Sequence, residues 1–153
     1  MKRLVVLDTN CLIQMLSRRS AKFIGWDAFR KGLYNLCVSN EILSEYQEII
    51  GKKASPAVAQ NVVSEIIHSP YTVFVDPQYR FHLVEQDYDD NKFVDCAIVS
   101  GADYIVSDDA HFDVLESIPF PHVDVVKLHE FLEEMTFLII NKGPEMVSET
   151  HII

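Results

Sequence analysis

Leu4-Val5-Val6-Leu7-Asp8-Thr9-Asn10 is the stretch on which the fold turns. Four apolar residues without alternation describe a strand buried on both faces, as in a parallel sheet. An acid directly after such a strand stands where open α/β sheets place their ligands, outside the carboxyl ends of the strands. Asp8 is therefore a candidate site residue. The plainer alternative is that Asp8 or Thr9 only caps a helix starting at Asn10 or Cys11, and this segment alone leaves both open.

Working outward, short apolar runs alternate with helical patterns. Strands are expected at 3–7, 34–38, 72–75, 104–106 and 123–126. Helices are expected at 11–18, 22–31, from a Ser39 cap to Ile50 with Gly51 as its stop, from Pro56 to before Pro70, at 90–100 ending at Gly101, at 110–116 and at 128–135. This alternation predicts a three-layer α/β/α domain over 1–135 around a five-stranded, mainly parallel sheet. Residues 136–153 carry a Gly-Pro break and no clear period, and are expected to form a loosely packed or partner-contacting tail.

A chain of 153 residues with 48% hydrophobic and 24% charged content is one soluble domain with a real core. The apolar run after Met1-Lys2-Arg3 is too short for a signal peptide, and no run is long enough to span a membrane. A cytoplasmic protein is expected. Cys11, Cys37 and Cys96 are far apart and form no CxxC pair, so neither a disulfide framework nor a zinc site is indicated.

The net charge of −10 argues against a protein that simply coats nucleic acid. The charge is unevenly placed. Residues 1–53 hold nine Lys+Arg against five Asp+Glu, and residues 54–153 hold four against eighteen. The basic half includes Arg18, Arg19 and Lys22, which can steer a phosphate backbone. The acidic half offers oxygen ligands, although solvated helix faces explain most of its charges.

Helical angles select among the acids. Ile42, Leu43, Tyr46, Ile49 and Ile50 form one stripe, with Glu45 on its flank and Glu41 and Glu48 further towards solvent. Phe93, Val94, Ala97 and Ile98 define the buried face of the 90–100 helix. Asp90 projects onto that face, and Asp95 is expected on the opposite, wetter side. Asp109 follows the Tyr104–Val106 strand as Asp8 follows the first. Asp8, Glu45, Asp90 and Asp109 can thus converge at one sheet edge. Four carboxylates repel one another unless a cation neutralises them. Oxygen ligands favour Mg²⁺ or Mn²⁺ over zinc, and such a site suits two-ion phosphodiester hydrolysis. His111, near an acidic pair, is read as a surface histidine.

Four segments together resemble a PIN-domain ribonuclease: Val6-Leu7-Asp8-Thr9-Asn10; Val38-Ser39 through Leu43-Ser44-Glu45; Asp89-Asp90-Asn91-Lys92-Phe93 with Ala97; and Gly101 through Asp109. Each is weak alone, but their order and spacing over residues 3–135 make the set specific. The most similar subgroup is the toxins of bacterial toxin–antitoxin pairs. The resemblance implies Mg²⁺- or Mn²⁺-dependent cleavage of single-stranded RNA to 5′-phosphate and 3′-hydroxyl ends. It implies Asp8, Glu45, Asp90 and Asp109 as the catalytic acids, with Asp8, Asp90 and Asp109 holding metal. Thr9, Asn10 and Ser107 would be supporting polar groups. Asp108 stands where many members have glycine or a basic residue, which leaves Asp108 as a rival to Asp109. An antitoxin protein and a homodimer are the partners implied. Three other readings fit less well. Haloacid-dehalogenase-like phosphatases need an aspartate where this chain has Asn10. Receiver domains need an early acidic pair that is missing. A catalytically silent RNA- or protein-binding scaffold is countered by the intact acids.

Overall fold

The computed structural model describes residues 2–85 and 88–152, without the side chains of Tyr88 and of 142–152. The chain begins with β1 (Arg3–Leu7), whose Val5, Val6 and Leu7 are wholly buried. The short helix α1 (Thr9–Gln14) follows, then α2 (Phe23–Arg30) and β2 (Tyr34–Val38). Two paired helices, α3 (Asn40–Lys53) and α4 (Pro56–His68), lead to β3 (Thr72–Phe74). A 3₁₀ turn at Tyr88–Asp90 runs into α5 (Asn91–Ser100). After it come β4 (Tyr104–Val106), a 3₁₀ segment (Ala110–Ser117), β5 (Val125–Val126) and α6 (Leu128–Ile152).

All strand pairs are parallel, in the order β3-β2-β1-β4-β5, giving the five-stranded sheet flanked by helices that the alternation predicted. The order also differs from the 2-1-3-4-5 arrangement of receiver-type folds. β1 is central. The chain moves outward through β2 and β3 and returns on the other side at β4, so the direction of winding reverses between β1 and β4. That reversal opens a crevice at the carboxyl ends of these two strands. Leu7 is paired with Val106, and the Asp8 N–H continues the ladder to the Val106 carbonyl at 3.0 Å.

Local chemistry explains most element ends. Ser39 and Ser55 cap α3 and α4 through Ile42 N–H at 3.3 Å and Val58 N–H at 3.1 Å, with Pro56 in the first turn of α4. Gly101 ends α5 in the left-handed region, at φ 70°. Gly25 permits close approach of α2 to its neighbours, because a Cβ there would lie 2.1 Å from Met15 Sδ and 3.0 Å from Leu132 Cδ2.

Some boundaries differ from expectation. α1 starts at Thr9 and ends at Gln14. α3 does not stop at Gly51 but runs to Lys53. Gly51 keeps a right-handed backbone and faces Ala59 of α4, so the chain turns only at Ala54 and Ser55. α6 does not end at 135. Phe131 and Met135 are buried, and Leu132, Leu138 and Ile139 pack against the core, so the apolar stripe continues. Phe131 meets the rings of Tyr34 and Tyr104 edge-on, at 5.1 and 6.3 Å between centroids. Burying a side chain of this kind contributes about 1.5–3 kcal/mol, which anchors α6 to the sheet. Among the described residues no helix is long and apolar enough to cross a membrane.

The three cysteines are free thiols, all buried. Burial raises each above its ordinary value, Cys11 to about 12.

The buried Tyr46 hydroxyl of α3 donates to the Leu7 carbonyl at 2.6 Å, next to Asp8. Tyr46→Phe keeps the ring and removes this bond. Urea unfolding should show a loss of about 1 kcal/mol; an unchanged midpoint would show the bond to be energetically idle.

Candidate functional site

The carboxyl ends of β1 and β4 gather the predicted acids from separate elements. Asp8 precedes α1 but does not cap it through its side chain. Its Oδ2 accepts the Ser107 hydroxyl at 2.7 Å, and both residues are buried. Ser107 Oγ in turn accepts the Asp109 N–H at 3.0 Å. One hydroxyl thus ties the end of β1 to the turn after β4.

Asp109 opens the 3₁₀ segment and accepts the His111 N–H at 2.9 Å. This local bond fixes the His111 backbone against the acid. The ring Nδ1 lies 3.2 Å from Asp90 Oδ2 and 3.4 Å from Asp109 Oδ1. Asp90 precedes α5 without capping it through its side chain, and that side chain is 13% exposed. Asp90, Asp109 and His111 each bring one ligand atom, and these atoms lie within 4.8 Å of one another. Two carboxylates and an imidazole at this spacing suit a divalent cation.

Glu45 stands near Asp8, close enough to raise its pKa. Its Oε2 accepts the Thr9 hydroxyl, and its Oε1 lies 2.7 Å from Lys92 Nζ. Both members of the ion pair are largely shielded, at 14% and 19% exposure. Lys92 therefore offsets part of the negative charge. Asp8 feels the rest. Burial raises its pKa first, and repulsion from Asp109 and Glu45 raises it further, against the Ser107 and Thr9 hydrogen bonds. A site that penalises its own anion in this way is suited to a cation.

The remaining predicted residues divide. A cavity of about 240 Å³ is lined by Asp8, Asn10, Cys11, Gln14, Asp108 and Asp109. Asn10 Oδ1 accepts from Lys53 Nζ at 3.0 Å, and Gln14 Oε1 from Lys22 Nζ at 2.6 Å, so two lysines flank the cavity. Arg18 and Arg19 are exposed on the loop after α1. The Asp108 carboxylate accepts the Leu128 N–H at 3.0 Å, at the start of α6, while Asp109 is the acid beside Asp90 and His111. Asp95 is not on a wet side. It is 2% exposed and accepts the Phe81 N–H at 3.1 Å, because the loop before α5 folds over it. Asn91 holds that loop too, pairing both ways with the Val84 backbone at 2.9 and 2.7 Å.

The sequence reading takes His111 as a surface histidine and gives Lys92 and Lys53 no role at the site, whereas the structure sets all three beside it. The signal for His111 is its place two residues after Asp109, where a tight turn returns the side chain to the acid. Lys92 is a cation two residues after Asp90, inside the third segment quoted above. A larger groove of about 700 Å³ adjoins Glu45 and Lys92, with Ser44, Arg80, His82 and Asp89 also on its walls.

A family model described as PIN domain matches residues 4–111, well over half of the chain. The chain belongs to the PIN-domain family. No curated protein sequence matches it. Among solved structures, this PIN domain is similar to a chain of VapBC2 from Rickettsia felis bound to a DNA fragment from their promoter. The TM-score is 0.53 at 16% identity, covering 81% of this chain and 98% of that one. At that identity the likeness is one of fold. Membership of this family sets aside the phosphatase and receiver readings.

Because folding raises the Asp8 pKa above its ordinary 3.8, the folded chain keeps this proton to higher pH than the unfolded chain. The associated stabilisation is complete below that value and is lost as pH rises through the folded-state value. In chelator, the urea midpoint of the wild type should therefore fall relative to Asp8→Asn as pH rises above about 4. Parallel curves would mean that the Asp8 charge carries no penalty.

Proposed function

We propose that this PIN domain is a metal-dependent endoribonuclease that hydrolyses phosphodiester bonds of single-stranded RNA, acting in the cytoplasm as the toxin of a type II toxin–antitoxin pair. The observation that carries the nuclease reading is the meeting of Asp90, Asp109 and His111 beside buried Asp8 at the crevice between β1 and β4. Family membership supports it. The toxin reading draws on the resemblance of the four sequence segments and on the fold shared with a chain of the VapBC2 complex.

Asp8, Asp90 and Asp109 are the residues that would hold Mg²⁺ or Mn²⁺. When bound, the ion supplies positive charge that acidifies the attacking water and stabilises charge building on the phosphoryl oxygens. The chain's own groups do the positioning. Ser107 fixes the Asp8 carboxylate, and Thr9 and Lys92 fix Glu45 from two sides. Glu45 orients the water and takes up its proton, and the leaving 3′-oxygen takes a proton from solvent water as its bond to phosphorus breaks. This leaves a 5′-phosphate and a 3′-hydroxyl. Lys22 and Lys53 at the small cavity, with Arg18 and Arg19 beyond, neutralise the backbone phosphates. Asn10 and Asp108 support the site from its rim. An antitoxin with a basic side chain for the acidic cavity, and a second copy of the chain, are the protein partners that belong with this reading.

The test is cleavage of a labelled, unstructured RNA with Mg²⁺ or Mn²⁺ and with chelator. Metal-dependent cutting should fall by roughly a hundredfold or more in Asp8→Asn and in Asp109→Asn. Asp108→Asn should cut within a fewfold of wild type, since its carboxylate serves the α6 terminus. Normal cutting by Asp8→Asn would overturn the site.

A further inference from the structure

Resting on the metal-centre reading above, we propose that His111 is a nitrogen ligand of the centre, and that it biases the site towards Mn²⁺ or a heavier first-row divalent ion over Mg²⁺. Three observations carry this. The first is distance. Ligand atoms on adjacent vertices of an octahedral ion, with bonds of about 2.1 Å, lie about 3.0 Å apart, and tetrahedral ligands about 3.4 Å apart. His111 Nδ1 stands 3.2 Å from Asp90 Oδ2 and 3.4 Å from Asp109 Oδ1. One ring nitrogen thus lies within hydrogen-bond distance of Asp90 and keeps ligand spacing to two acids from different elements, and a bound ion would replace the shared proton.

The second observation is rigidity. The His111 N–H is held by the Asp109 carboxylate at 2.9 Å, and the Asp109 N–H by Ser107 at 3.0 Å. The backbone carrying the imidazole is therefore bonded to the same groups that surround the metal position. The third is access. The His111 side chain is 40% exposed, while its Nδ1 faces Asp90 and Asp109. The consequence is chemical. Mg²⁺ takes oxygen almost exclusively, whereas imidazole adds affinity for transition ions in the order Mn²⁺, Fe²⁺, Co²⁺, Ni²⁺. A site of carboxylates alone would show little such bias.

The experiment loads chelator-stripped full-length protein with Mn²⁺ and records pulsed electron paramagnetic resonance, then displaces Mn²⁺ with Mg²⁺ to obtain the ratio of affinities. Wild type should show coupling to one nitrogen-14 nucleus. His111→Ala should lose it, with Mn²⁺ affinity reduced about tenfold or more relative to Mg²⁺. His111→Asp should bind Mn²⁺ without the nitrogen signal. Thermal melts of both variants establish that they are folded. Mn²⁺ bound by wild type without nitrogen coupling, and lost in Asp90→Asn, would overturn the His111 assignment and leave the metal centre standing. Wild type that binds no Mn²⁺ at all would overturn the metal centre and this inference with it.

Discussion

An anion that the fold both buries and surrounds with other anions is the constraint on which this structure depends. Asp8 ends the central strand, where its backbone is still part of the sheet. Its carboxylate is thus placed by the central strand and is buried. The fold answers with donors: the Ser107 hydroxyl and the Thr9 backbone for Asp8, and Lys92 and the Thr9 hydroxyl for Glu45. These donors orient the acids but do not discharge them. The remaining imbalance makes the region a receptor for positive charge, as binding sites commonly sacrifice stability for function.

Sheet order turns a property of strands into a property of a site. β1 and β4 are neighbours in space and far apart in sequence, so residues after each strand can meet without a long loop between them. Ser107 is the stitch. It joins Asp8 to Asp109 through a single oxygen, and the 3₁₀ segment then brings His111 back towards Asp90 at the start of α5. The same turn sends Asp108 the other way, to the Leu128 N–H at the start of α6. Adjacent acids thereby serve different ends, one electrostatic and one structural.

How far the sequence could be read follows from which signals are local. Val5–Leu7 and Tyr104–Val106 are buried on both faces and show it by composition, so the sheet and its acid-bearing edge were legible. Family membership bears out the resemblance of the four segments. Distances were not legible. A strand end names an edge of the sheet, while the approach of His111 to Asp90 depends on how a tight turn aims one ring. Asp95 was misplaced because a helical wheel knows the helix's own face and not the loop folded over it. The end of α3 was misplaced because a glycine can stop a helix or pack one closely against another, and Gly51 does the second. The continuation of α6 was hidden by Phe137 and Ile140, exposed apolar residues that blur the stripe of Met135, Leu138 and Ile139.

The buried thiols have a practical meaning. Cys11 lines the small cavity, while Cys37 in β2 and Cys96 in α5 lie near one another in the core. Their raised pKa values and burial keep them out of the thiolate form that alkylating reagents attack. Reaction with such a reagent therefore waits on opening of the surrounding structure. The chain carries three native clocks of local unfolding, and labelling rates at each would map how firmly each part of the domain is closed.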